Sequence, residues 1–177
     1  MPVKMPGLQI HVDGIVQGVG FRPFVYNLAI SLGLTGWVRN SSSGVDIVIV
    51  GDPQNIDRFM DKLRVHPPPL SHIDSITHHP VVDGNFISFN ILESNASPGD
   101  FLPVSPDMCI CPQCHEELFD PSNRRFRYPF INCTNCGPRF TIITDIPYDR
   151  PNTTMSGFPL CSDCAAEYSD PRDRRFH

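Results

Sequence analysis

No stretch of this 177-residue chain approaches the roughly 18 consecutive apolar residues of a membrane-spanning helix, and Met1 to Gly7 lacks the hydrophobic centre of a secretory leader. Both absences point to a cytoplasmic protein without a membrane partner. A basic excess is missing as well: 14 Lys and Arg stand against 19 Asp and Glu, for a net charge of −5. Residues 1–92 carry six Lys or Arg and seven Asp or Glu, and the remainder carries eight arginines against twelve acids. Neither half has the positive footprint of a nucleic-acid binder, which argues against nucleic acid as a partner. Disulfides have little support either. In a reducing cytoplasm, seven cysteines of which six stand in Cys-x2-Cys pairs read as metal ligands.

What is present divides unevenly along the chain. The 19 prolines are about twice the ordinary share and mostly follow residue 65, while alternating and helical apolar patterns crowd into the first 92 residues. The boundaries that follow are a domain at 1–92, a linker at 93–107 (ESNASPGDFLPVSPD, without periodicity) and a cysteine-rich module at 108–177.

The front domain is organised around Val16-Gln17-Gly18-Val19-Gly20-Phe21-Arg22-Pro23. Leu8 to Val12 alternates as a half-buried strand does, and Pro23 to Leu32 repeats apolar residues at helical spacing, with Pro23 suited to the first helical position. The two glycines therefore lie at a helix N-terminus. There, backbone N–H groups without intrahelical partners can wrap an anion while Arg22 clamps its oxygens as a fork. A tight turn beside an exposed arginine is the competing reading.

Gly14 to Arg22 fits the pattern G-x-V-Q-G-V-x-F-R, and Gly36-Trp37-Val38-Arg39-Asn40-Ser41-Ser42-Ser43-Gly44 fits G-W-V-x-N-x3-G. Together they resemble the acylphosphatase family, although Val45-Asp46-Ile47 follows Gly44 one residue tighter than the usual spacing, which bears on the third-strand register. The resemblance implies that Gln17, Gly18, Val19, Gly20, Phe21 and Arg22 form a phosphate-binding loop, that Arg22 holds the phosphoryl group and that Asn40 places the attacking water. No catalytic metal is implied. An acyl phosphate has a good carboxylate leaving group, so positioning and charge stabilisation suffice.

The remaining elements are consistent with that fold. Leu34 to Arg39 and Val45 to Val50 read as strands joined by a loop of Asn40, three serines and Gly44. Asp52 can cap a helix that begins at Pro53 and carries Ile56, Phe59, Met60 and Leu63 on one face. Ile73 to His78 and Phe86 to Ile91 read as further strands, giving β-α-β-β-α-β with a possible extra strand. This is the α+β, ferredoxin-like order, with both helices on one face of an antiparallel sheet. His11, His66, His72, His78 and His79 read as surface residues, and Trp37 as core or as a floor beside the site.

In the second module, Cys111-x2-Cys114 and Cys133-x2-Cys136 supply four thiolates for a closed, structural zinc site. For Cys109 a spare ligand, a buried small hydrophobe and an incidental thiol all stand. Cys161-x2-Cys164 opens a second unit: at an offset of 50, Glu117, Asp120, Pro121, Arg124, Arg125 and Phe126 recur as Glu167, Asp170, Pro171, Arg174, Arg175 and Phe176. The repeat places a further pair near position 183, beyond His177, so Cys161 and Cys164, placed with the metal ligands by their spacing, either bind no metal, recruit His177, pair with another chain, or interleave with the first unit. The repeated acids and arginines read as ion pairs within each repeat, against the alternative that Arg124, Arg125 and Arg127 contact nucleic acid.

An acylphosphatase pattern followed by two such cysteine units resembles the HypF carbamoyltransferases of [NiFe]-hydrogenase maturation, and RRFRYPFINCTNCGPRFTII, PYDRPNTTM and DPRDRRFH match that family. The resemblance implies hydrolysis of carbamoyl phosphate to carbamate and phosphate, structural zinc, and, in the complete proteins, ATP-dependent transfer to HypE. A non-catalytic, zinc-dependent docking module is the rival class.

Overall fold

A computed structural model describes residues 5–81, 85–95, 108–137, 142–145 and 149–176. Strands β1 (Gly7–Ile15), β2 (Thr35–Ser41), β3 (Gly44–Val50), β4 (His72–Val81) and β5 (Phe89–Ile91) form one sheet in the order β4-β1-β3-β2-β5. The first four pair antiparallel, and β5 adds to β2 as a parallel edge, which is the extra strand the sequence allowed. Helices α1 (Phe21–Ser31) and α2 (Pro53–Val65) cover one face. Val25, Leu28 and Ala29 of α1 and Ile56, Phe59, Met60 and Leu63 of α2 meet Ile10, Val12, Val38, Ile47 and Ile49 from the strands. Period-2 alternation sends these strand residues to the helical side and His11, Trp37 and Arg39 to the other.

The local code of α2 is met in full: the Asp52 side chain accepts from the Gln54 N–H at 2.9 Å, and Pro53 opens the helix. Four expectations change. Helix α1 begins at Phe21 with Gly20 as its cap, so Pro23 is its third residue, still within the first turn where no N–H is needed. Asn40 is in strand β2, opposite Val45, because the hairpin turns on Ser42 and Ser43 alone; this also fixes the β3 register, with Ser41 facing Gly44. Trp37 is neither core nor floor of the site: it lies on the opposite face from Asn40, with Arg39 stacked 4.8 Å from its ring centre. His11 is half-buried rather than a surface residue, paired with Asp46 at 2.7 Å and Asp13 at 3.1 Å.

Of the expected linker, residues 93–95 keep to the sheet edge, with the Asn95 N–H donating to the Asn40 carbonyl at 2.9 Å; residues 96–107 lie outside those described. The cysteine module carries two equivalent short helices, α3 (Pro112–Phe119) and α4 (Ser162–Ser169), each preceded by a cysteine at its cap. It packs on α1 and the glycine loop: the Asn27 side chain donates to the Pro171 carbonyl at 3.0 Å. Among the described residues no helix is long and apolar enough to cross a membrane.

Candidate active site

Between β1 and α1 the chain reverses through Gly18 and Gly20, whose φ angles of 72° and 77° are left-handed. At Gly20 a side chain is excluded twice, since a Cβ there would also stand 2.9 Å from the Cβ of Thr134 in the cysteine module. Val19 and Phe21 are buried and fasten the loop to the core. Gln17 fastens it to the β2–β3 hairpin, donating to the Ser41 and Gly44 carbonyls at 2.6 and 2.7 Å. The loop is therefore held from both sides, with the positive end of the α1 dipole behind it.

Arg22, in the first turn of α1, is 8% exposed, so the competing picture of an exposed arginine beside a turn does not hold. Asn40 is 1% exposed, and neither its Nδ2 nor its Oδ1 has a hydrogen-bond partner. An unpaired buried amide costs about 1–3 kcal/mol. Gln17, Gly18, Gly20, Arg22 and Asn40 line one cavity of about 420 Å³. The cysteine module closes its other side with Ile131, Thr153, Met155 and Tyr168. Burial, with the nearby charge of Asp149, raises the Tyr168 phenol above its ordinary range.

Arg22 is also paired across the two modules. Its Nη2 donates to Asp149 Oδ1 at 2.6 Å, and the Ser94 hydroxyl donates to Asp149 Oδ2 at 2.6 Å. Sequence reasoning missed Asp149, Ser94 and Tyr168. Asp149 lies 127 residues from Arg22, and the only sign of it was the PYDRPNTTM stretch, matched as a whole without a role for any one residue.

The first cysteine unit closes as its spacing predicts. The Sγ atoms of Cys111, Cys114, Cys133 and Cys136 all lie within 4.8 Å of one another, with neighbouring pairs at 3.6 to 3.8 Å. A tetrahedron with metal–sulfur bonds of about 2.3 Å has edges of about 3.8 Å, so the residues fit zinc. Without a cation, burial pushes the Cys114 thiol up to about 11, and hydrogen bonding to Cys136 with burial pushes Cys133 up to about 12. Four thiolates here require a metal ion to neutralise them. Cys109 is exposed and outside the cluster.

Cys161 and Cys164 stand apart from those four, so the two units do not interleave among the described residues; His177 is outside them. The charged residues of the repeat correct the expected pairing. Arg174 and Arg175, from the second unit, both pair with Glu117 of the first, and Arg124 and Arg125 of the first pair with Glu167 of the second. Each exchange also brings a guanidinium onto sulfur: Arg174 Nη1 lies 3.0 Å from Cys114 Sγ, and Arg124 Nη1 3.3 Å from Cys164 Sγ. The pairs cross between repeats because each arginine follows its own helix by one loop and meets the partner unit's helix. With Arg127 stacked on Phe126, the arginines offered for nucleic acid are committed within the module.

Residues 8–91 match the acylphosphatase family, and the chain is 40% identical over 85 residues to the acylphosphatase of Syntrophotalea carbinolica, covering 92% of that protein and 48% of this chain. The chain belongs to the acylphosphatase family. Residues 110–143 and 160–177 match the HypF finger. The acylphosphatase domain and finger together form the amino-terminal region of HypF carbamoyltransferases. Carbamoyltransferase HypF2 of Cupriavidus necator is 49% identical over 158 residues, with 87% of this chain and 19% of that protein covered. A crystal structure of full-length HypF in the phosphate- and nucleotide-bound form superposes with a TM-score of 0.92 at 52% identity, over 99% of this chain and 23% of that one. The chain thus spans about a fifth of the length of the curated HypF relatives. Within the acylphosphatase domain, the structure brings the predicted loop, Arg22 and Asn40 into one cavity; the four cysteines make a separate centre consistent with structural zinc.

Proposed function

We propose that the acylphosphatase domain hydrolyses a small acyl phosphate, carbamoyl phosphate, to carbamate and phosphate. The observation that carries this reading is the buried Asn40 amide with both polar atoms unpaired, facing the same cavity as Arg22 and the Gly18–Phe21 loop. The loop amides and the Arg22 fork bind the phosphoryl oxygens and stabilise the charge that develops on them. Asn40, neutral and able both to donate and to accept, orients a water in line with the phosphorus without repelling it. The water oxygen bonds to phosphorus, and the P–O bond to the carbamoyl group breaks with its electron pair going to the carbamate oxygen. Both water protons end on the phosphate, so that the carbamoyl phosphate dianion and water give the carbamate anion and the dihydrogen phosphate anion.

The HypF resemblance and the 19% to 23% coverage of those relatives support placing this step at the front of a longer sequence, in which carbamate is activated with ATP and passed to HypE. Cys111, Cys114, Cys133 and Cys136 would hold zinc as a structural ion that ties α3 to the second knuckle. Cys161 and Cys164 would bind a second zinc where a further cysteine pair is available. The division at 1–92, 93–107 and 108–177 serves this arrangement, the finger standing over the mouth of the first domain.

Phosphate release from carbamoyl phosphate by the zinc-loaded chain, beside Arg22→Ala and an ordinary phosphate monoester, tests the proposal. We expect cleavage of the acyl phosphate, none of the monoester, and a loss of at least about a hundredfold with Arg22→Ala. Folded, zinc-loaded protein without Arg22-dependent hydrolysis would overturn it and leave the region as a docking module.

A further inference from the structure

Arg22 lines the cavity, yet part of its guanidinium is held from elsewhere. Nη2 donates to Asp149 Oδ1 at 2.6 Å, Asp149 Oδ2 accepts from the Ser94 hydroxyl at 2.6 Å, and Nη1 lies 3.4 Å from the same hydroxyl. Asp149 belongs to the cysteine-rich half and Ser94 to the segment leaving β5; neither is part of the loop-and-asparagine motif. Nor are they among the residues that line the cavity. The carboxylate therefore grips one end of the fork from outside the cavity lining and the Ser94 hydroxyl lies beside the other, while Arg22 still lines the cavity together with the glycine loop and Asn40.

We infer that Asp149 is a positioning residue for Arg22, supplied to the acylphosphatase site by the finger half of the chain through Ser94. This rests on the hydrolytic reading above. An arginine side chain has several rotatable bonds, and a fork serves a phosphoryl group only when its plane is aimed in advance. Anchoring Nη2 supplies that aim. The same carboxylate also offsets part of the positive charge that attracts phosphate, so the two contributions of Asp149 have opposite signs and can be separated. Removing its charge leaves Arg22 at least as attractive to a ground-state anion, but no longer held for the geometry at which the charge moves.

The test compares Asp149→Asn, Asp149→Glu and Ser94→Ala with the zinc-loaded wild-type chain. It measures kcat and KM for carbamoyl phosphate, inhibition by inorganic phosphate, and thermal melting. For Asp149→Asn we expect kcat to fall roughly tenfold or more, with the phosphate inhibition constant unchanged or lower and the fold retained. Asp149→Glu should recover part of the loss. An unchanged or raised kcat in Asp149→Asn would overturn the inference and make the carboxylate a simple competitor of phosphate. Joint loss of kcat and phosphate binding that Asp149→Glu does not recover would overturn it in favour of a structural role. Should Asp149→Asn fail to fold, Ser94→Ala, which keeps both charges, decides: a several-fold fall in kcat at constant phosphate inhibition supports the inference, and no change overturns it. Wild-type chain without Arg22-dependent hydrolysis would remove the hydrolytic reading and this role together, whereas active wild type with an indifferent Asp149→Asn removes this role alone.

Discussion

Among the described residues, eighteen buried apolar side chains of the acylphosphatase domain, from Ile10 to Phe89, share one core, whereas the buried cluster of the finger consists of Cys114, Ile131, Cys133 and Cys136 with Ile110, Cys111 and Leu118 at its margin. The first arrangement is stabilised by removing apolar surface from water at about 25 cal/mol per Å². The second has little such surface to remove, so its organisation falls to four thiols and to arginines exchanged between repeats. The difference matters for the site. The loop, Arg22 and Asn40 rest on the half with the large apolar core, and Asp149, Thr153 and Tyr168 rest on the half whose four-cysteine cluster is consistent with a structural metal.

The largest effect should come from removing that metal. Cys136→Ser, or chelation, takes away a binding free energy that in small zinc fingers is about 10–16 kcal/mol. Amide exchange should then show residues 108–176 unprotected while β1 to β4 keep their protection; collapse of both halves together would refute the division. The converse substitution is Phe59→Ala. Phe59 is fully buried in α2, and its loss should cost the first domain about 3–5 kcal/mol in urea unfolding followed by the single tryptophan, Trp37. Finger metal content should stay unchanged at temperatures where the sheet remains folded.

A smaller effect is expected at the crossed ion pairs. At Glu117 the raising influence of burial is outweighed by Arg175 and Arg174, which hold the carboxyl below its usual 4.5. A depressed folded value means stability that is full above about pH 4.5 and lost as pH falls through the lowered value. Because the groups are a fifth or so exposed, Glu117→Gln should cost the finger only about 1–2 kcal/mol at pH 7 and remove that part of the acid sensitivity. Equal acid sensitivity in wild type and variant would show that the pairs contribute nothing.

The smallest prediction concerns the first domain. At His11, burial, which favours the neutral ring, is outweighed by Asp46 and Asp13, and the folded value is raised above 6.5. Arg39, which also pairs with Asp46, and Ser75, which donates to Asp13, complete that surface. The stabilisation is full below about pH 6.5 and fades as pH rises through the raised value. His11→Gln should flatten that slope without altering the finger.

The same contrast explains what could be read from the residues alone. Asp52, Pro53 and the apolar face of α2 are local signals, and the helix follows them to the residue. Cysteine spacing is likewise a local record of a tetrahedron, and the four thiols meet as expected. Asn40 was assigned its role but not its strand, because a run of serines looks like a loop until cross-strand pairing confines the turn to Ser42 and Ser43. The repeat showed which arginines and acids are equivalent but not which partner each takes, since exchange between two units leaves no trace in spacing. Asp149 was illegible for the same reason: its bond to Arg22 joins residues 127 apart, from modules whose contact surface no periodicity encodes.

Binding of inorganic phosphate to the zinc-loaded chain, followed by amide and side-chain NMR shifts, probes whether the glycine loop, Arg22 and Asn40 act as one phosphate cradle. Saturable shifts are expected at the Gly18 to Phe21 amides and the Asn40 side-chain amide, abolished in Arg22→Ala. Shifts elsewhere with the glycine loop silent, or binding indifferent to Arg22, would contradict it.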